Sequence, residues 1–244
     1  MSLAEAFAPL VDLVYPPRCP ACGEAIAAQD GLCSTCWAEL AIPGEPACAL
    51  CQRPFTGAAA AEGTICAPCL ADPPRHDGIA AATLYNDASR KLVLAFKRGG
   101  RIALAPMLAR LIAARLPEID PASLVVPVPL HPLRLWRRGF NQSALLAREI
   151  ARLKGATLLV DGLVRRKRTP VLGGLGKLAR ARALSGAIAV RPSRRAQLKG
   201  ASVVLVDDVM TSGATSDACV GALKRGGADK VVVACFARVL DEAL

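Results

Sequence analysis

Apolar residues along this chain fall into two patterns. Short continuous runs suit strands buried on both faces, and sets spaced by three and four suit helices. The runs occupy residues 79–85, 123–130, 157–164, 203–206 and 230–239, the last with Val231, Val232 and Val233 buried in character. The helical sets lie mostly between them: 89–96 with Leu92, Val93 and Phe96 inward, 104–116 closed by Pro117, 143–153 with Leu145, Leu146 and Ile150 inward, and 214–226 ending at Gly226-Gly227. Strands alternating with helices predict an α/β fold, a doubly wound parallel sheet. Pro127 and Pro129 predict that the second run leaves the sheet at the end where ligands bind. Far upstream, Leu3, Ala6, Phe7, Leu10 and Leu13 predict a short amphipathic helix over 1–17, stopped by Pro16-Pro17. Its polar face carries Glu5 and Asp12, which argues against a membrane-surface role.

Between that helix and the first strand the pattern is replaced by cysteine spacing. Cys19-x-x-Cys22, Cys33-x-x-Cys36, Cys48-x-x-Cys51 and Cys66-x-x-Cys69 are four knuckles, each aiming two thiolates at one ion. Two knuckles complete a four-cysteine zinc site, so residues 18–72 are expected to form a double zinc ribbon with two structural ions. Spacing leaves sequential and cross-brace pairing equally open. A redox dithiol needs one pair and leaves three unexplained. Residues 71–77 read as a linker, with His76 solvated because eight cysteines already fill two sites. The rest, 78–244, is the α/β domain, in which Cys219 and Cys235 read as core thiols.

The central run 203–206 leads into two adjacent carboxylates, Asp207 and Asp208, placed at its end. Thr211, Ser212, Gly213, Ala214 and Thr215 follow, opening a helix. Unpaired N–H groups and hydroxyls there make a receptor for a phosphate dianion. The carboxylates would hold a sugar diol and, through the substrate, Mg²⁺. A plain strand-to-helix turn accounts for the glycine and hydroxyls but not for two like charges side by side. Neither G-K-[ST] nor G-x-G-x-x-G is present, which excludes a Walker loop and a dinucleotide fingerprint. The order of acids and loop resembles the phosphoribosyl-pyrophosphate (PRPP) motif of type I phosphoribosyltransferases.

Charge sharpens the picture. Residues 1–75 hold three basic and eight acidic residues, whereas 134–199 hold seventeen basic and two acidic ones, so the basic excess of a chain with formal charge +11 lies in one segment facing a polyanion. Within it, Arg137, Arg138, Gly139, Asn141 and Gln142 form a loop between the second strand and its helix, chemically suited to pyrophosphate. Single-stranded DNA is the other polyanion considered, although only Trp136 and Phe140 could stack on bases. Lys97-Arg98-Gly99-Gly100-Arg101 reads equally as a helix C-cap and as a phosphate contact. No apolar run reaches the roughly 18 residues of a membrane span, and the start lacks a signal peptide's basic residues. A cytoplasmic location is the expectation; the oligomeric state is open.

Arg137-Arg138-Gly139-Phe140-Asn141-Gln142 after Val126-Pro127-Val128-Pro129-Leu130, with the Asp207–Thr215 stretch downstream and the cysteine knuckles upstream, resembles the ComF family over nearly the whole chain. The resemblance implies a double zinc ribbon joined to a type I phosphoribosyltransferase-like domain, associated with natural competence for DNA uptake. It implies transfer of phosphoribosyl from PRPP, with Mg²⁺, to an unidentified nitrogen acceptor. The alternative it leaves is a non-catalytic PRPP or nucleotide sensor that works with single-stranded DNA or DNA-processing proteins. In phosphoribosyltransferases the glycine-rich basic region around Lys177, Arg180 and Arg182 corresponds to a lid over the pyrophosphate. Where the family pattern places a glutamine and an asparagine in that lid, this chain carries Leu172 and Ala183. PRPP binding is therefore the more direct implication, and turnover the less direct one.

Overall fold

The computed structural model describes residues 14–29, 31–55, 60–98, 100–167 and 186–240. Most of the helix expected over 1–17 lies outside them. Two short helices come first, α1 (Ser34–Ala38) and α2 (Ala67–Ala71), each starting directly after the first cysteine of a knuckle. The α/β part follows as β1 (Ile79–Leu84), α3 (Asp87–Arg98), α4 (Ala105–Arg115), β2 (Leu124–Pro127), α5 (Pro132–Arg138), α6 (Gln142–Lys154) and β3 (Thr157–Leu158). It continues through β4 (Leu163–Arg165), β5 (Ile188–Val190), β6 (Ser202–Met210), α7 (Ala214–Arg225) and β7 (Lys230–Arg238).

Five strands form one parallel sheet in the order β1-β7-β6-β2-β3. The central position of β6 follows from its sequence. Val203, Val204, Leu205 and Val206 are at most 2% exposed, and only a strand with neighbours on both edges and layers on both faces buries four consecutive side chains. On one face, Leu92, Phe96, Leu108, Ile112, Leu146 and Ile150 pack from α3, α4 and α6 against Val204, Val206 and Phe236. On the other, Val220 and Leu223 of α7 meet Leu205, Val231 and Val233.

That second face has too few helices to cover it, and the cysteine-rich module supplies the rest. Cys48, Cys51, Cys66 and Cys69 belong to the same apolar cluster as Ile79 and Ala81 of β1. Gln52 Oε1 accepts the edge N–H of Ala81 at 3.4 Å. The other end of β1 is tied to the first knuckle pair, since Ala41 O accepts from Leu84 N at 2.7 Å and from Thr83 Oγ1 at 2.9 Å. The cysteine-rich module therefore caps an edge strand that would otherwise present unpaired groups.

Three sequence expectations are corrected here. The run 157–164 is not one strand. Its Asp161-Gly162 turn ends β3 after two residues and redirects the chain into β4, which pairs antiparallel with β5 in a separate ribbon. Asp161 fixes that turn through Arg191 at 3.3 Å and Arg194 at 2.9 Å. The stretch before Asn141 is a helix, α5, because His131 Nδ1 accepts from Leu133 N at 3.3 Å and Gly139, at φ +80°, closes the C-terminus. His76 is not solvated: it is 5% exposed, because residues 76–78 run along the edge of β7, with Asp77 N donating to Val231 O at 2.9 Å. Cys219 and Cys235 are fully buried, as core thiols should be.

Candidate functional site

The carboxylates lie within β6, one residue pair before its end, since β7 continues to pair with it through Val209 and Met210. The parallel neighbour β2 ends alongside, with Val128 N donating to Val206 O at 2.9 Å, so the loops after both strands emerge at one edge of the sheet. Asp208 is 7% exposed; its Oδ2 is 3.0 Å from Lys97 Nζ at the end of α3, and its Oδ1 accepts from Val209 N at 2.8 Å. Asp207 Oδ1 accepts from Ser143 Oγ at 3.1 Å and from Asp208 N at 2.9 Å.

Burial and the adjacent Asp208 charge push the Asp207 carboxyl up to about 7, against the opposing pull of Lys97 and its two hydrogen bonds. A carboxyl raised above its ordinary 3.8 holds a proton in the folded chain that the unfolded chain has released. Its contribution to stability is therefore complete below about pH 4 and lost as pH rises through about 7. Thermal melts across that window should show the wild type losing stability with rising pH relative to Asp207→Asn. Parallel melting curves would remove the raised carboxyl.

After β6, Thr211 and Ser212 form a bend and Gly213 adopts φ +75°, from which α7 starts. A Cβ there would lie 3.1 Å from Met210 Cε in a backbone region that L residues avoid, so the sequence needs glycine at this point. Gly213 gives no side-chain cap. The first-turn N–H groups, including those of Ala214 and Thr215, thus receive no cap from this residue and follow directly on Thr211 and Ser212.

Of the proposed pyrophosphate residues, Arg137 is exposed and Arg138 half-buried in the last turn of α5. Asn141 caps α6: its Oδ1 accepts from Ser143 N at 3.1 Å and its Nδ2 donates to Val128 O at 3.1 Å. It thereby fixes Ser143 against Asp207. Gln142 is 2% exposed with its Nε2 unpartnered. Lys177, Arg180 and Arg182, like Leu172 and Ala183, lie outside the described residues. The segment holding them leaves and returns at one place, where Arg166 N donates to Ala187 O at 2.8 Å.

Sequence reasoning did not single out Ser143, and took Arg165 only as part of the basic segment 134–199. Arg165 is 8% exposed on β4; burial and the nearby Arg134 charge hold its guanidinium below the ordinary value, while Asp207 pulls it up. Lys97, weighed between two roles, proves to be the partner of Asp208. No local pattern marks Ser143, whereas the polar Arg165 in an otherwise apolar strand was a readable signal.

Both cysteine clusters form by sequential pairing: Cys19, Cys22, Cys33 and Cys36 in one, Cys48, Cys51, Cys66 and Cys69 in the other, with each set of Sγ atoms within 4.8 Å. Cys22 and Cys33 approach to 3.6 Å, as do Cys51 and Cys66. Tetrahedral zinc with about 2.3 Å bonds needs sulfurs roughly 3.8 Å apart, so both sets fit structural zinc. No helix among the described residues is long and apolar enough to cross a membrane.

Comparison with known proteins places these features together. A double zinc ribbon domain matches residues 10–74, and a phosphoribosyl transferase domain matches residues 136–243. DNA utilization protein YhgH of Salmonella typhimurium is 32% identical over 226 residues, covering 86% of this chain and 98% of that protein. Competence protein F of Haemophilus influenzae is 30% identical over 228 residues, covering 91% and 96%. The chain belongs to the ComF family. Among solved structures, this ComF-family chain is similar to the allosteric regulatory enzyme of purine biosynthesis, at 21% identity and TM-score 0.37, over 54% of this chain and 25% of that one. The glutamine PRPP amidotransferase from B. subtilis, complexed with ADP and GMP, gives 21% and 0.36 over 53% and 25%.

Proposed function

We propose that this chain binds PRPP with Mg²⁺ and transfers its phosphoribosyl group to a nitrogen acceptor, in the DNA use and competence that its relatives' names denote. The observation that carries this reading is the adjacent pair of half-buried Asp207 and buried Asp208, held by Ser143 and Lys97 on the strand that leads into a glycine-started helix. Asp207 and Asp208 accept hydrogen bonds from the ribose hydroxyls. Thr211, Ser212, Gly213, Ala214 and Thr215 cradle the 5′-phosphate. Arg137 and Arg138, with Lys177, Arg180 and Arg182, neutralise the pyrophosphate, Gly139 and Gln142 contribute uncharged contacts to it, and Asn141 positions its neighbours. The C1′–O bond to pyrophosphate breaks with its electron pair leaving on oxygen, and the acceptor nitrogen forms the new bond to C1′. Oxygen donors of this kind suit Mg²⁺, which supplies charge neutralisation on the phosphates when bound. The protein's share is positioning and electrostatics.

Zinc-loaded protein incubated with PRPP, Mg²⁺ and a panel of nitrogenous acceptors should release pyrophosphate with one of them. Asp207→Asn should abolish that release. PRPP binding without release for any acceptor would leave a sensor and end the transfer claim. One observation favours a second activity of the same chain: Trp136 is 82% exposed on α5 beside Arg134 and Arg137, a stacking platform within a basic face. It suits single-stranded DNA.

A further inference from the structure

Away from Asp207 and Asp208, a cavity of about 250 Å³ opens between the second zinc ribbon, the segment before β1 and the Thr211–Gly213 loop. Arg53 and Cys51 line it from the ribbon, Arg75 and His76 from the segment before β1, and Arg238 from the end of β7. None of Lys97, Ser143, Asp207 and Asp208 borders it.

Its walls carry an unusual set of donors. Among the described residues, five buried side-chain nitrogens lack a hydrogen-bond partner, and three of them belong to residues that line this cavity: Arg53 Nε, His76 Nδ1 and Arg238 Nη1. His76 is only 5% exposed. Each buried, unmatched polar atom costs about 1–3 kcal/mol, so two guanidinium donors and an imidazole nitrogen around one cavity mark a place where a ligand supplies the partners. Arg75 adds a third guanidinium, with its Nη1 3.3 Å from the point where a Cβ on Gly221 would stand. Asp72 and Asp217 also line the cavity, but each already has an interaction of its own, and three guanidiniums outnumber two carboxylates. The imidazole is neutral, because burial and the Arg238 charge lower it to about 4.

The ligand that meets two unpaired guanidinium nitrogens and an imidazole nitrogen is an oxyanion with several lone pairs, for which forked arginine donors are suited. We propose that this cavity is a second anion site, for inorganic phosphate or a small phosphomonoester, built jointly by the zinc ribbon and the back of the Thr211–Gly213 loop. Its volume is below that of drug-sized pockets, which favours a small phosphorylated molecule over an extended one. The site needs the folded ribbon, since Arg53 lies two residues after a zinc-binding cysteine. An anion held there orders the loop from behind. Where that loop also takes the 5′-phosphate of PRPP, the two ligands alter each other's affinity by the same factor.

Calorimetric titration of the zinc-loaded full chain with inorganic phosphate and with AMP, alone and under saturating PRPP, tests the site. Saturable binding that persists under PRPP is expected. It should weaken at least about tenfold in Arg53→Gln and in Arg238→Gln, with zinc content and melting temperature reporting that each variant folds. AMP binding more tightly than phosphate identifies a phosphomonoester; the reverse identifies the free ion. No saturable binding of either, or binding that PRPP displaces and both arginine variants retain, overturns the proposal. Failure of the phosphoribosyl reading registers separately, as absence of PRPP heat in the same experiment.

Discussion

Asp208→Asn is expected to weaken Mg·PRPP binding by about 100-fold while leaving the fold in place. The two side chains have nearly the same volume, so the change removes charge rather than packing. Two favourable terms go with it. The ligand loses a carboxylate acceptor, and hydrogen bonds to charged groups contribute about 1.5–3 kcal/mol each. Lys97, 3.0 Å from Asp208 Oδ2 and partly buried, loses the charge that offsets its own. A loss of about 2.7 kcal/mol corresponds to 100-fold in affinity. Lys97→Met separates the two contributions: if Lys97 mainly holds Asp208, the double variant binds as weakly as Asp208→Asn alone, and a double-mutant cycle gives their coupling. Affinity unchanged in Asp208→Asn would remove this carboxylate from the binding site.

The site was legible in the sequence to the extent that its residues are neighbours in the chain. Asp207 through Thr215 are contiguous, and the burial of four successive residues marks β6 as central, so strand, acids and the Thr211–Thr215 loop could be read together. Their partners could not. Ser143 and Lys97 arrive from the ends of two helices that β6 joins only once the sheet is wound, and Arg165 from a ribbon that the sequence reads as the end of a sheet strand. The acids sit inside β6 because β7 pairs beyond them, and pairing length is set by the partner strand. The knuckles declared eight ligands by spacing alone, yet each C-x-x-C offers the same two thiolates to any other, so pairing waited on the fold. His76 was misjudged because its burial comes from the edge of β7, far along the chain. The α5 stretch has no apolar period, and its helix depends on its two ends, His131 and Gly139.

Zinc removal should act unequally on the two sites, and the inequality follows from what each site touches. Cys48, Cys51, Cys66 and Cys69 are all at most 8% exposed and share an apolar cluster with Ile79, Ala81, Val231 and Val233, whereas Cys22 is exposed. Cys51→Ser breaks a tetrahedral site whose metal is the main reason so short and polar a ribbon folds. With the ribbon open, the faces of β1 and β7 lose their cover and the edge N–H of Ala81 loses Gln52. A loss of about 4 kcal/mol is expected from the uncovered apolar surface and the unmatched donor. For a chain of this size it lowers the melting temperature by roughly 8–16 °C. Cys22→Ser also forfeits one zinc, but of its ribbon only Leu40 among the described non-cysteine residues is buried in the α/β core, with residues 39 and 41, Pro20, Ala21 and Leu32 making more exposed contacts, so less than half that fall is expected. Metal analysis paired with calorimetric melting reads both quantities on the same samples. If Cys51→Ser loses one zinc per chain and still melts within a few degrees of the wild type, the ribbon is an appendage and the sheet does not depend on it. If it melts far lower while Cys22→Ser does not, the second ribbon is part of the α/β core, taking the place of a helix that the chain never makes.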